Sequence, residues 1–147
     1  MEELSDYDIA HFPDKLKSPK TILVIDDSED SVTLSKIILE IAGYEVLTAL
    51  SGTAGLALLS DGPQIDLILL DMQLGDISGI EFLDYLEKQN PLIWQSVPVI
   101  FITGMDNVPK SQAKAVLCKP VEISTLLETV ESFLEGGAQS LPENQRH

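Results

Sequence analysis

Five polar residues close short apolar runs in this 147-residue chain, and their types suit the chemistry of phosphate. Asp26 and Asp27 follow Thr21 to Ile25, Asp71 follows Ile65 to Leu70, Thr103 follows Val97 to Ile102, and Lys119 follows Ala115 to Cys118. Three carboxylates brought together repel one another unless a cation joins them. Hard oxygen ligands of this kind suit Mg²⁺, which keeps several waters and takes a few carboxylates plus a phosphate oxygen. Three carboxylates, one Mg²⁺ and Lys119 form a neutral set. A carboxylate is a competent nucleophile that can form an aspartyl-phosphate. Metal, ammonium and hydroxyl would then stabilise the equatorial oxygens during in-line transfer.

Such chemistry needs the five residues at one edge, and the intervening segments supply a way to put them there. Between Glu29 and Ala42 the apolar residues Leu34, Ile37, Ile38 and Ile41 fall at helical spacing, with Gly43 as terminator. Tyr44 to Ala49 reads as a strand, and Thr53 to Leu59 as a short helix capped by Ser51. Ile80, Leu83 and Leu86 mark a helix starting near Ser78 and ending before Pro91. The last helix, Ile123 to Leu134, carries Leu126, Leu127, Val130, Phe133 and Leu134 on one side.

Near-continuous apolar strands alternating with amphipathic helices predict an α/β fold: a doubly wound, five-stranded parallel sheet, flavodoxin-like, with (βα)5 order. In open sheets of this kind ligands bind outside the carboxyl ends of the strands. All five polar residues should meet there.

Composition bounds the alternatives. A formal net charge of −15 argues against direct contact with nucleic acid or an anionic membrane, because phosphate backbones are bound through Lys and Arg. The lone cysteine, Cys118, rules out an intrachain disulfide and fits a reducing cytoplasm; its apolar run suggests a buried, inert thiol. The acidic start MEELSDYD does not resemble a signal peptide, and the apolar runs are too short to span a bilayer. Residues 1–19 read as an extension, 20–135 as the globular domain, and 136–147 as a tail or linker. His11 and His147 fall in the flanks without ligand-spaced neighbours.

The segments ILVIDDSED, LILLDMQLGDISGIEFL, VIFITG and LCKP, in this order, resemble the receiver domains of two-component response regulators (CheY-like) over roughly residues 20 to 135. The resemblance implies that Asp71 is the phosphoacceptor and that Asp26 and Asp27 support Mg²⁺, completed by Asp71 and the backbone carbonyl of Gln73. It implies that Thr103 donates its hydroxyl to the phosphoryl group, that Lys119 pairs with it, and that Lys119-Pro120 is the family's cis peptide. The donor would be a phosphohistidine on a sensor histidine kinase or histidine phosphotransfer protein, with a downstream protein as target. Receivers also assist their own phosphorylation and dephosphorylation rather than turning over a substrate.

Departures from the family pattern are equally legible. Val116 stands where relatives commonly carry an aromatic ring, and a β-branched side chain has one stiff torsion and no ring to swing. Signal transmission through that face should be altered. The stretch from Thr103 to Lys119 cannot hold a helix of about 11 residues plus a strand and two loops of about 2–6 residues, and Pro109 limits it further. A shortened fourth helix follows. Gly75 replaces a common proline and should loosen the loop after Asp71, while Gln73 and Met105 occupy positions flanking the site.

Three other classes compete. A receiver-like scaffold that works without phosphorylation has no need of all five polar residues. A phosphohydrolase with an Asp nucleophile would want a second acid two residues on, where Gln73 stands. A flavin mononucleotide site would be repelled by Asp26, Asp27, Glu29 and Asp30.

Overall fold

The computed structural model describes residues 19–104 and 113–134. Five strands, β1 (Thr21–Ile25), β2 (Glu45–Ala49), β3 (Leu67–Asp71), β4 (Val99–Thr103) and β5 (Ala115–Cys118), form one parallel sheet in the order β2-β1-β3-β4-β5. The described helices are α1 (Glu29–Ile41), α2 (Gly52–Asp61), α3 (Gly79–Gln89), α4 (Pro91–Ser96) and α5 (Ile123–Leu134). The doubly wound, flavodoxin-like fold is as expected. The stretch in which a shortened helix is expected between Thr103 and Lys119, with Met105 and Pro109, lies outside the described residues, as do His11 and His147.

The sheet is covered on both faces because its strands are apolar on both. Ile22, Val24, Leu67, Leu69 and Ile100 point into one layer with Val32 and Leu39 of α1 and Leu126 and Val130 of α5. Their neighbours Leu23, Ile25, Ile68, Leu70 and Phe101 point into the other, against Leu59 of α2 and Phe82, Leu83 and Leu86 of α3. Alternation along each strand makes this two-sided core inevitable once the strands pair.

The helices begin and end where local chemistry dictates. Ser28, Ser51 and Ser78 cap α1, α2 and α3, and Ser78 forms a reciprocal capping box with Glu81. After α1, Gly43 adopts φ +105°, its N–H reaches the Glu40 carbonyl at 3.0 Å, and the Tyr44 N–H reaches the Leu39 carbonyl at 3.1 Å. That paired closure needs a residue at ease in the left-handed region.

Four details differ from the sequence reading. Most of the apolar stripe of α1 faces outward: Leu34, Ile37 and Ile41 are 59%, 49% and 82% exposed, and of the stripe only Ile38 packs on the core, beside the buried Val32 and Leu39. Leu34 stands two positions from Val32, about 200° around a 3.6-residue helix, so α1 is apolar on two sides. Ile80 is likewise at the surface, and Phe82 takes the core position in α3. Pro91 does not merely end α3; it opens α4 at N1, where a missing N–H costs nothing. Cys118 is exposed, because β5 is an edge strand whose Ala115 and Leu117 face the core layer while Val116 and Cys118 face away.

Candidate functional site

Register decides which side chains meet. Ile25 of β1 pairs with Leu70 of β3, so Asp26 lies one step beyond, level with Asp71. Asp71 pairs with Ile102, which puts Thr103 one residue further out on β4. Thr103 pairs with Cys118, and the Lys119 N–H then donates to the Thr103 carbonyl at 2.8 Å. Asp26, Asp71 and Thr103 are buried and Asp27 is exposed at the rim.

Carboxylate oxygens of Asp26, Asp27 and Asp71 lie within 4.8 Å of one another. Lys119 Nζ donates to Asp26 Oδ2 and to Asp71 Oδ2, each at 3.0 Å. The second oxygens are held by backbone: Asp26 Oδ1 accepts from the Ser28 N–H and Asp71 Oδ1 from the Gln73 N–H, both at 3.0 Å. Both buried carboxyls are therefore oriented, not merely adjacent. Three carboxylates against one ammonium leave the cluster negative, and its all-oxygen donors fit a divalent hard cation such as Mg²⁺. Among the described residues no other group of acids, histidines or cysteines meets the same geometry.

Burial pushes the Asp71 carboxyl up from its ordinary value, with the Asp26 charge adding to it and the Gln73 N–H and Lys119 opposing. Burial pulls the Lys119 ammonium down, but the two carboxylates it bonds more than offset that and raise it. Lys119 therefore stays charged, with a third of its side chain open to the rim.

A groove of about 460 Å³ runs from these residues along α1, lined by Ser31, Leu34, Ile38, Lys119, Pro120 and Val121 among others. The Lys119-Pro120 peptide is cis, as the family resemblance implied.

All five residues singled out from sequence gather at this edge. Gln73 is close as well, antiparallel to Ser78 across the loop after β3. Asp76 was not singled out. Its Oδ1 and Oδ2 accept from the N–H groups of Gly52 and Thr53, both at 2.9 Å, and those bonds hold its carboxyl well below the usual carboxylate range. Its partners stand more than twenty positions away in the sequence, so no local motif could reveal it.

Residues 22–131 match the family model of the response regulator receiver domain. The chain is 29% identical over 122 residues to the polar-differentiation response regulator DivK of Brucella anthropi, a match covering 79% of this chain and 97% of that protein. Among solved structures it resembles a CheY-like receiver domain protein from Methanospirillum hungatei, with 31% identity, a TM-score of 0.73, and coverage of 83% of this chain and 98% of the other. The chemotaxis response regulator CheY4 of Vibrio cholerae is similar too, at 28% identity and TM-score 0.71, covering 80% of this chain and all of that one. The chain belongs to the response regulator receiver domains of two-component signalling. Such domains are phosphorylation switches that accept a phosphoryl group and work with histidine kinases or phosphotransfer proteins, rather than conventional enzymes. No helix among the described residues is long and apolar enough to cross a membrane.

Proposed function

We propose that this protein is a cytoplasmic switch in a phosphorelay, phosphorylated on Asp71 by a phosphohistidine donor in a Mg²⁺-dependent reaction. The observation that carries the reading is the convergence of Asp26, Asp27 and Asp71 within 4.8 Å beside the Lys119 ammonium. One carboxylate oxygen of Asp71 forms a bond to phosphorus as the phosphorus–nitrogen bond of the donor breaks, and the electron pair stays on the imidazole nitrogen. Lys119, already against Asp71, pairs with the arriving phosphoryl oxygens, and Thr103 donates its hydroxyl to them. Asp26, Asp27, Asp71 and the Gln73 carbonyl would hold Mg²⁺, which supplies charge neutralisation at those oxygens when bound. Hydrolysis of the acyl phosphate resets the switch. Receiver-like scaffolding without phosphorylation would not need two buried carboxylates each fixed by its own backbone N–H.

Incubation with acetyl phosphate or a phosphoramidate and Mg²⁺ is expected to add one phosphoryl group to the intact protein by mass spectrometry. No gain is expected in chelator or in Asp71→Ala. Absence of uptake by the wild-type chain under these conditions would return the reading to the scaffold.

The outward apolar face of α1 supports a protein donor. Leu34 lines the groove that reaches Asp71, and Ile37 and Ile41 extend the same face. Leu34→Asp is expected to leave uptake from acetyl phosphate unchanged while slowing transfer from a phosphorylated histidine protein about tenfold, the effect of truncating one well-placed interface anchor. Equal slowing of both donors would move the docking face elsewhere.

A further inference from the structure

We propose that Asp76 is a positioning residue: reaching from the loop between β3 and α3, it clamps the first turn of α2 and thereby holds the Asp71–Gln73 segment in its working shape. The inference rests on the phosphoacceptor reading above and names a residue that controls the same site from outside it.

The clamp is built from both sides. Helix α2 needs acceptors for its first N–H groups. Of these N–H groups Ser51 Oγ takes that of Ala54, at 3.1 Å, and those of Gly52 and Thr53 turn instead to the two oxygens of Asp76. The loop needs an anchor, and it packs straight onto the helix backbone. A Cβ on Gly52 would stand 2.4 Å from Ile77 Cγ1 and 3.3 Å from Leu74 Cδ1, so only glycine admits this approach.

The base of the loop is pinned separately. The Gln73 N–H holds Asp71 Oδ1, the Gly79 N–H donates to the Met72 carbonyl at 2.8 Å, and Gln73 bridges to Ser78. Between base and tip sits Gly75, where a Cβ would lie 3.8 Å from Asp27 Oδ2. The loop thus passes beside the rim acid Asp27 with its most permissive residue. Sequence alone suggested a loosened loop at Gly75; Asp76, the next residue, supplies the restraint. Releasing the tip leaves the Asp71–Gln73 segment held by its base contacts alone and loosens the stretch that abuts Asp27.

The test compares Asp76→Ala with Ser51→Ala, which removes a cap of the same helix and leaves the loop anchored. Asp76→Ala is expected to weaken Mg²⁺ binding by calorimetry about tenfold, the lower end for residues that orient metal ligands. It should slow uptake from acetyl phosphate and speed amide exchange over residues 72–77. Ser51→Ala should lose comparable thermal stability and keep all three properties near wild type. Asp76→Asn, with one acceptor oxygen, should fall between. Equal Mg²⁺ affinity, uptake and exchange in Asp76→Ala and Ser51→Ala would overturn the proposal. Should the wild-type chain take neither Mg²⁺ nor phosphoryl group, the functional reading fails on its own, and exchange alone decides the clamp: faster only in Asp76→Ala upholds it, unchanged removes it.

Discussion

Lys119→Met is expected to lower the rate of phosphoryl uptake from acetyl phosphate by about 10²–10³-fold, the cost of removing one preorganised charge stabiliser. The expectation follows from position. The ammonium already lies 3.0 Å from Asp71 Oδ2, so it needs no reorganisation to meet the incoming oxygens. Its loss also leaves Asp26 and Asp71 facing each other with no protein cation between them, which disfavours two ionised carboxylates. Methionine is unbranched and keeps most of the apolar stem without the charge, so the substitution removes the ammonium with little change in bulk. Lys119→Arg should not restore the rate, since a planar fork cannot take the place of a compact point charge between two buried oxygens. Stopped uptake assays against Mg²⁺ concentration check this directly. A rate within about threefold of wild type, below the cost expected for such a group, would show that the ammonium is a structural counter-ion only.

The second large effect is on stability. Phe82 is fully buried where α3 meets the sheet, packed with Ile25 and Phe101 and near the backbone of Gly55. Phe82→Ala is expected to destabilise the domain by about 3–5 kcal/mol, a large share of the ~5–15 kcal/mol that holds a domain folded. Because α3 carries the end of the loop that begins at Asp71, the site should lose order along with the core. Denaturant unfolding monitored at Trp94 measures it. A cost below about 1 kcal/mol, outside the range for truncating a buried aromatic, would mean that α3 is not seated as described.

Much of this was legible in the residues, for reasons that differ by element. β5 and α5 begin and end where the sequence places them, since Lys119-Pro120 and the stripe from Leu126 to Leu134 punctuate them sharply. The site was readable because a parallel sheet forces strand ends to one edge, and Asp26, Asp71, Thr103 and Lys119 are strand ends.

What stayed hidden depends on three-dimensional neighbours. Helix α1 has two apolar faces, and periodicity finds the stripe through Leu34 and Ile41 without telling which face the sheet will cover. Helix α4 was missed because proline reads as a stop, although it equally well starts a helix. Cys118 looked buried in its apolar run, but in the edge strand β5 only the face carrying Ala115 and Leu117 packs on the core, and the opposite face stays exposed. Asp76 gave no local signal because its role exists only once α2 lies beside the loop.

The identity of the acceptor is the point on which the rest turns. Phosphorylated protein, reduced with borohydride and digested, is expected to show the acyl phosphate converted to an alcohol at position 71 and nowhere else. Reduction mapped to Asp26, Asp27 or another acid, with Asp71 intact, would contradict it.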